Sequence, residues 1–168
     1  MQLGKLSRHW TIAPAIAACA FSDPAAAQQR WSTYTNPRFG TTADYPADTF
    51  NIRDLAPANG QGFRTADGRA HLSIYGARNA QDDTPTAYIQ KYVDPQGVAY
   101  KLATVRYYVV SGRRNSETFY ERCNFRARAS GIIDCFNVTY PTREKAAWDP
   151  VVVRISRSLR SGLGIELR

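Results

Sequence analysis

The sequence predicts an α+β fold in which a central antiparallel β-sheet is flanked by helices. Three observations carry that prediction. Residues 98–140 hold runs in which apolar and polar side chains alternate, the period-2 signature of strands. Thr84-Pro85 opens a short helix just before that segment. An amphipathic stretch from Thr142 to Leu159 then closes the chain. With 168 residues, 43% of them hydrophobic and 21% charged, the chain has the size and composition of one folded domain.

The first 27 residues read as a signal peptide rather than as part of that domain. Lys5, Arg8 and His9 form a basic lead, Trp10 to Phe21 is a short apolar run, and Asp23-Pro24 breaks it. Ala25-Ala26-Ala27 supplies the small residues a signal peptidase accepts, so cleavage is expected between Ala27 and Gln28. A competing signal lies inside the same run. Ile16-Ala17-Ala18-Cys19 resembles a lipobox, in which Cys19 would be acylated and anchor the mature chain. Nothing approaches the roughly 18 apolar residues that a membrane-spanning helix needs. The expected mature product is a single α/β domain, residues 28–168, periplasmic or secreted.

Within it, Trp31 to Tyr34 and Arg38 to Tyr45 read as two short strands ended by Pro37 and Pro46. Phe50 to Gly62 reads as loop, with Asn59-Gly60 as a turn signal. Phe63 to Tyr75 reads as a hairpin turning at Asp67-Gly68. Thr84 is a natural N-cap with proline at the first helical position, and Asp82 and Asp83 suit the positive end of the helix dipole. That helix should run to about Val93, before Asp94-Pro95-Gln96-Gly97.

In the β-rich segment, Val105, Tyr107 and Val109 alternate with Arg106, Tyr108 and Val110, and a turn is expected over Gly112 to Ser116. Glu117 to Phe125 and Ile132 to Tyr140 form the last hairpin, turning over Ala127 to Gly131. A pivot at Ala129 would set Cys123 opposite Cys135 and Phe125 opposite Ile133. In the closing helix, Trp148, Val152, Ile155 and Leu159 fall on one stripe, with Arg154, Arg157 and Arg160 opposite; Asp149-Pro150 is a candidate break.

With Cys19 removed, Cys123 and Cys135 are the remaining cysteines, and an even pair in an exported protein is a disulfide candidate. The full chain carries +8, and loss of Lys5, Arg8 and Asp23 leaves a mature charge of +7. Such a domain attracts anionic surfaces. Arg113, Arg114, Arg122, Arg126 and Arg128 are the candidate anion-binding residues, although solvated surface charge explains scattered arginines equally well.

The catalytic inventory is thin. His71 is the only histidine left after processing, in a strand pattern without a nucleophile elbow. The usual zinc, haem, phosphate-loop and dinucleotide motifs are missing, so no cofactor or metal is expected. Asn59-Gly60-Gln61-Gly62 only loosely follows a calcium loop, with Gln where Asp is wanted. Glu117 and Glu121 share a strand and leave a carboxylate-based glycan hydrolase open as a reading. Tyr107, Tyr108 and Tyr120, beside Arg106 and Arg122, fit either ordinary sheet packing or a ligand-stacking surface.

Further motifs are Phe39 to Pro46 (F-G-x-x-x-x-Y-P), Asn59 to Phe63, Ala66 to Ala70 (A-D-G-R-A), Tyr108 to Gly112 (Y-V-V-S-G), Phe119 to Cys123 (F-Y-E-R-C) and the W-D-P-V-V-x-R-I-x-R-S-L ending at Leu159. Together they resemble a family of uncharacterised proteins exported by alphaproteobacteria. The opening strand pair followed by Tyr-Pro, the long antiparallel sheet and the closing helix are more loosely similar to PsbP-like domains. That resemblance implies a sheet sandwiched by helices, in a class made up mostly of accessory or interaction modules, and it implies no catalytic residues. The expected function is therefore a non-enzymatic accessory or binding module of the cell envelope. Its partner would be an anionic envelope component or another envelope protein, with no role for nucleic acid.

Overall fold

In a computed structural model, residues 29–54, 59–126 and 131–162 are described, and they form two antiparallel sheets and two helices. The smaller sheet orders its strands β1-β2-β10, from β1 (Trp31–Thr35), β2 (Thr41–Pro46) and β10 (Arg160–Ser161). The larger, seven-stranded sheet runs β3-β4-β5-β9-β8-β7-β6. Its members are β3 (Ile52–Arg53), β4 (Gly60–Arg64), β5 (His71–Arg78), β6 (Val98–Ala103), β7 (Tyr107–Arg114), β8 (Glu117–Phe125) and β9 (Ile132–Pro141). Helix α1 (Pro85–Tyr92) and helix α2 (Lys145–Ser158) complete the fold. The predicted α+β architecture is what the structure shows.

The two faces of the large sheet carry different layers. One packs Leu72, Ile74, Phe136, Val138 and Tyr140 against α2 and the β1–β2 pair, through Trp148, Ile155 and Tyr45. The other packs Tyr108, Val110, Cys123, Ile133 and Cys135 beneath Ile89 of α1. Because β9 lies between both layers, its first five residues are all buried, which explains the unbroken apolar look of Ile132 to Phe136.

Helix α1 begins as its capping pair dictates: the Thr84 side chain accepts from Ala87 N at 3.2 Å, and Pro85 occupies the first turn. The β8–β9 register sets Cys123 opposite Cys135 and Phe125 opposite Ile133, and the two cysteines are joined with Cα atoms 4.1 Å apart. The loop they close is short, so removing the bridge by Cys123→Ala with Cys135→Ala should lower stability by about 2–3 kcal/mol. Guanidinium titrations of the natural and double-variant proteins measure it. A loss under about 0.5 kcal/mol would mean that packing around Ile133 already fixes the hairpin.

Four local expectations are corrected. Val105 does not continue a strand: it sits in the β6–β7 turn, 90% exposed, where Tyr107 N and Arg106 N both donate to the Thr104 hydroxyl. The turn expected over Gly112 to Ser116 contracts to Asn115-Ser116, because Asn115 accepts a positive φ of 55° and lets β7 run on to Arg114. Gly60 belongs to β4 rather than to a loop; a Cβ there would lie 2.4 Å from that of Tyr75, so glycine permits the close approach of β5. Pro150 does not break α2, which winds on from a 3₁₀ turn at Thr142–Glu144. The proline forfeits a single N–H, and burial of Trp148, Val152 and Ile155 on either side of it holds the helix on the sheet. The expected turn over Ala127 to Gly131 and the residue Arg128 fall mainly or wholly outside the described residues, as does the 1–27 signal with Cys19.

Candidate binding surface around helix α1 and strand β6

Strand β6 is an end strand of the large sheet, and α1 lies across the neighbouring β7. Between them opens a pocket of about 430 Å³ lined by Ile89, Val93, Val98, Tyr100, Lys101 and Val110. A second cleft of about 610 Å³ lies at the other end of α1, between Asp83-Thr84 and the Val105 turn, floored by Phe125. Large apolar side chains collect here. Tyr92, Tyr100, Leu102 and Val105 are exposed by 54, 52, 37 and 90%, and among the described residues only Val153, on α2, joins them. Scattered exposed apolar residues mean nothing by themselves; here four of the five lie on an edge strand, the turn that ends it and the adjoining helix, with Tyr100 and Leu102 on the sheet face away from α1.

On the α1 side of this edge is a carboxyl–tyrosine cluster. Tyr108 OH donates to Glu121 Oε1 at 2.5 Å. Tyr88 of α1 stacks over Tyr108 at 5.9 Å, meets Tyr92 at 4.6 Å and turns an edge to Phe125 at 5.6 Å. Burial raises the Glu121 pKa above its ordinary 4.5, against the smaller opposing pulls of the Tyr108 hydroxyl and the Arg114 charge. Burial also pushes the Tyr75, Tyr88 and Tyr108 hydroxyls upward, so all three stay protonated at neutral pH. An acid with a higher pKa in the folded state binds its proton more tightly there, so stability is greatest below the unfolded value and falls as pH rises toward the folded one. Glu121→Gln keeps an acceptor for Tyr108. It should match the natural protein in denaturant at about pH 4 and exceed it at pH 7. A variant weaker than the natural protein at pH 7 would show instead that the ionised carboxylate stabilises the cluster.

The tyrosines grouped by sequence separate in space. Successive strand residues face opposite sides, so Tyr107 lies across the sheet from Tyr108, with the Arg122 guanidinium 4.5 Å from its ring centre. Tyr120 faces α2, its hydroxyl 3.1 Å from Ser156 Oγ. Tyr75 and Tyr88, which complete the cluster around Tyr108, carried no sequence signal beyond an alternating strand and an amphipathic helix.

The candidate anion-binding arginines are likewise dispersed. Arg114 lies over Phe119 and donates to Gln96 O and Asp94 O. Arg122 donates to Asn124 and Ser156. Arg126 grips the buried Asp134 through two hydrogen bonds, at 2.7 and 2.8 Å. Arg113 lines a separate cleft of about 530 Å³ with Arg69 and Arg143. Arg113 and Arg126 line different clefts, and neither shares its cleft with another of these four arginines.

Other sequence candidates have local roles. Glu117 and Glu121 share a face of β8 about 13 Å apart along the backbone, the Glu121 carboxyl engaged by the Tyr108 hydroxyl and Glu117 lining the cleft with Arg113. His71 is exposed, with Nε2 3.0 Å from Gly68 O in its own hairpin. Gln61, in the segment likened to a calcium loop, lies in β4, where its amide donates to Asp54 O and Gly62 O, both at 2.8 Å. Asp83 pairs with Lys91 across α1. Among the described residues, no three His, Cys, Asp or Glu side chains are grouped to hold a metal, and no helix is long and apolar enough to cross a membrane.

No protein-family profile and no curated protein sequence matches the chain. Solved structures do. The cyanobacterial PsbP (CyanoP) of Synechocystis sp. PCC 6803 superposes with a TM-score of 0.58 at 13% identity, covering 84% of this chain and 98% of that one. The Saccharomyces cerevisiae Ran-binding protein Mog1p is a looser likeness, with a TM-score of 0.46 at 10% identity, covering 79% and 96%. The first likeness shows that the chain has the PsbP fold.

Proposed function

We propose that the protein is a non-catalytic accessory or binding module of the bacterial cell envelope, delivered to the periplasm by residues 1–27, and that the α1–β6 edge is where it meets its partner. The observation that carries this reading is the exposure of Tyr100, Leu102 and Val105 along the β6 edge and the turn that ends it. The base of that edge is braced by the Cys123–Cys135 bridge within the same buried cluster as Ile89 and Tyr108. A disulfide there suits an oxidising compartment. A photo-crosslinking amino acid placed at Tyr100 in cells exporting the protein should give adducts, whereas the same group at Val153 should not. Adducts from both positions, or from neither, would remove the surface assignment. Mass spectrometry of the native protein should find it beginning at Gln28 in a periplasmic extract; a cytosolic chain beginning at Met1 would remove the envelope reading.

A second reading, binding of an anionic polysaccharide, lipid headgroup or phosphate, is favoured by the cleft that joins Arg69, Arg113 and Arg143. The Arg113 guanidinium has no side-chain partner among the described residues, which leaves it available to an anion. Arg113→Ala should elute from a phosphocellulose column at clearly lower salt than the natural protein. Equal elution would leave the cleft without a role in anion binding.

A further inference from the structure

The α1–β6 surface has a backbone component as well as an apolar one. Among the described residues strand β6 pairs with β7 alone, and residues 99–102 are all exposed. Thr104 N donates to Tyr107 O at 2.9 Å where the hairpin turns. In an antiparallel ladder, bonded and non-bonded pairs alternate, so Leu102–Val109 is the next bonded pair. The N–H and C=O groups of Lys101 and Ala103 therefore point outward from the sheet. A register shift between Val98 and Tyr100 disturbs the start of the strand, leaving Tyr100 to Ala103 as the regular free edge. Such an edge is usually blunted by proline or charge, or covered. Here the only such device within β6 is Lys101.

The side chains beside this edge set the chemistry of an occupant. Tyr100 and Leu102 project on one face of the sheet, while Lys101 projects on the other, into the mouth of the pocket beside Ile89 and Val110. Arg106 adds a second cation at the turn. Neither Lys101 nor Arg106 has an ion-pair partner among the described residues, and β6 carries no carboxylate. A lipid headgroup or a glycan could answer the charges, but neither repeats donor and acceptor groups at the spacing of a strand edge. An extended polypeptide answers both.

We infer that β6 accepts an extended acidic segment of a partner protein as an added antiparallel or parallel strand. Apolar side chains of the segment lie on Tyr100 and Leu102, and its carboxylates face Lys101 and Arg106. This rests on the reading of the α1–β6 edge as the working surface, and it names the class of partner. A second copy is disfavoured as occupant because pairing two β6 edges would bring Lys101 and Arg106 against cations of the same sign.

The test uses the mature protein labelled with ¹⁵N and an acetylated, amidated peptide of alternating valine and glutamate about eight residues long, enough to span the edge. A valine–lysine peptide of equal length is the control. Titration with the acidic peptide should slow amide exchange at Lys101 and Ala103, and the control should not bind. Lys101→Glu should invert the preference between the two peptides. Ala103→Pro removes an outward N–H, a substitution that edge strands tolerate, and should weaken acidic-peptide binding at least tenfold. Binding of both peptides alike, or acidic-peptide binding without protection at 101 and 103, would overturn the inference. So would sedimentation of the natural protein as a dimer that Lys101→Glu dissociates or strengthens. If the peptide fails while adducts at Tyr100 persist in cells, strand addition falls and the surface assignment stands; loss of those adducts removes the surface assignment itself.

Discussion

Replacing Asp134 with alanine is expected to lower stability by about 3–5 kcal/mol at neutral pH, among the largest effects of any single substitution. The carboxylate is fully buried and tied on every side. Arg126 holds it with two hydrogen bonds, Thr41 Oγ1 donates at 2.5 Å, and Ser161 Oγ donates as well. Those partners belong to different elements: Thr41 to β2, Ser161 to β10, and Asp134 to β9 of the large sheet. Arg126 also donates to Phe39 O, so the same guanidinium anchors the turn leading into β2. Alanine would leave a cation with only 14% of its side chain exposed, without its counter-charge, and two hydroxyls without their acceptor. Paired replacement, Asp134→Leu with Arg126→Met, should recover more than half of the loss, because no charge stays behind. Urea titrations of the single and double variants measure both effects. A single-variant loss below about 1 kcal/mol would show that the two sheets are held by their apolar contacts alone.

That clasp marks the boundary of what sequence reading can reach here. Residue periodicity and caps are local, and what depends on them was legible: the start of α1 at Thr84-Pro85, the stripe of α2, and the register that brings Cys123 to Cys135. Asp134 sits inside Ile132-Ile133-Asp134-Cys135-Phe136, where alternation explains nothing about its charge. Its partner Thr41 is 93 residues away, and no short-range pattern encodes that meeting. Arg126, grouped by sequence with the anion-binding candidates, already holds an anion, and that anion is Asp134. The α1–β6 surface was hidden for a different reason. Val98 to Ala103 has the composition of any strand, and whether a strand lies at the edge or the centre of a sheet follows from topology rather than from its own residues. The split between Tyr107 and Tyr108 was legible and simply follows from pleating: neighbours in a strand cannot share a face.

Trp148→Ala is the second substitution from which a large loss is expected, about 3–5 kcal/mol. The indole is 8% exposed and sits between Phe50, 5.5 Å away, and Tyr140, stacked at 5.4 Å and 18°. Its N–H donates to Glu144 at 3.4 Å, and Glu144 in turn pairs with Arg69 at the tip of the β4–β5 hairpin. Removing the ring opens a cavity in the cluster that joins α2, β2 and the large sheet, and neighbours as rigid as Phe50 and Tyr140 collapse into it only in part. Val153→Ala, on the same helix but 47% exposed, supplies the contrast and should stay within about 0.5 kcal/mol. The two sides of the sheet predict where the damage spreads. Trp148 contributes nothing to the cluster beneath α1, and the disulfide there ties β8 to β9. Hydrogen exchange in Trp148→Ala should therefore accelerate first in α2 and β2, with the amides of Cys123, Ile133 and Cys135 the last to open. Uniform acceleration across both layers would mean that the sheet transmits the loss and that the α1–β6 surface shares the fate of the α2 side.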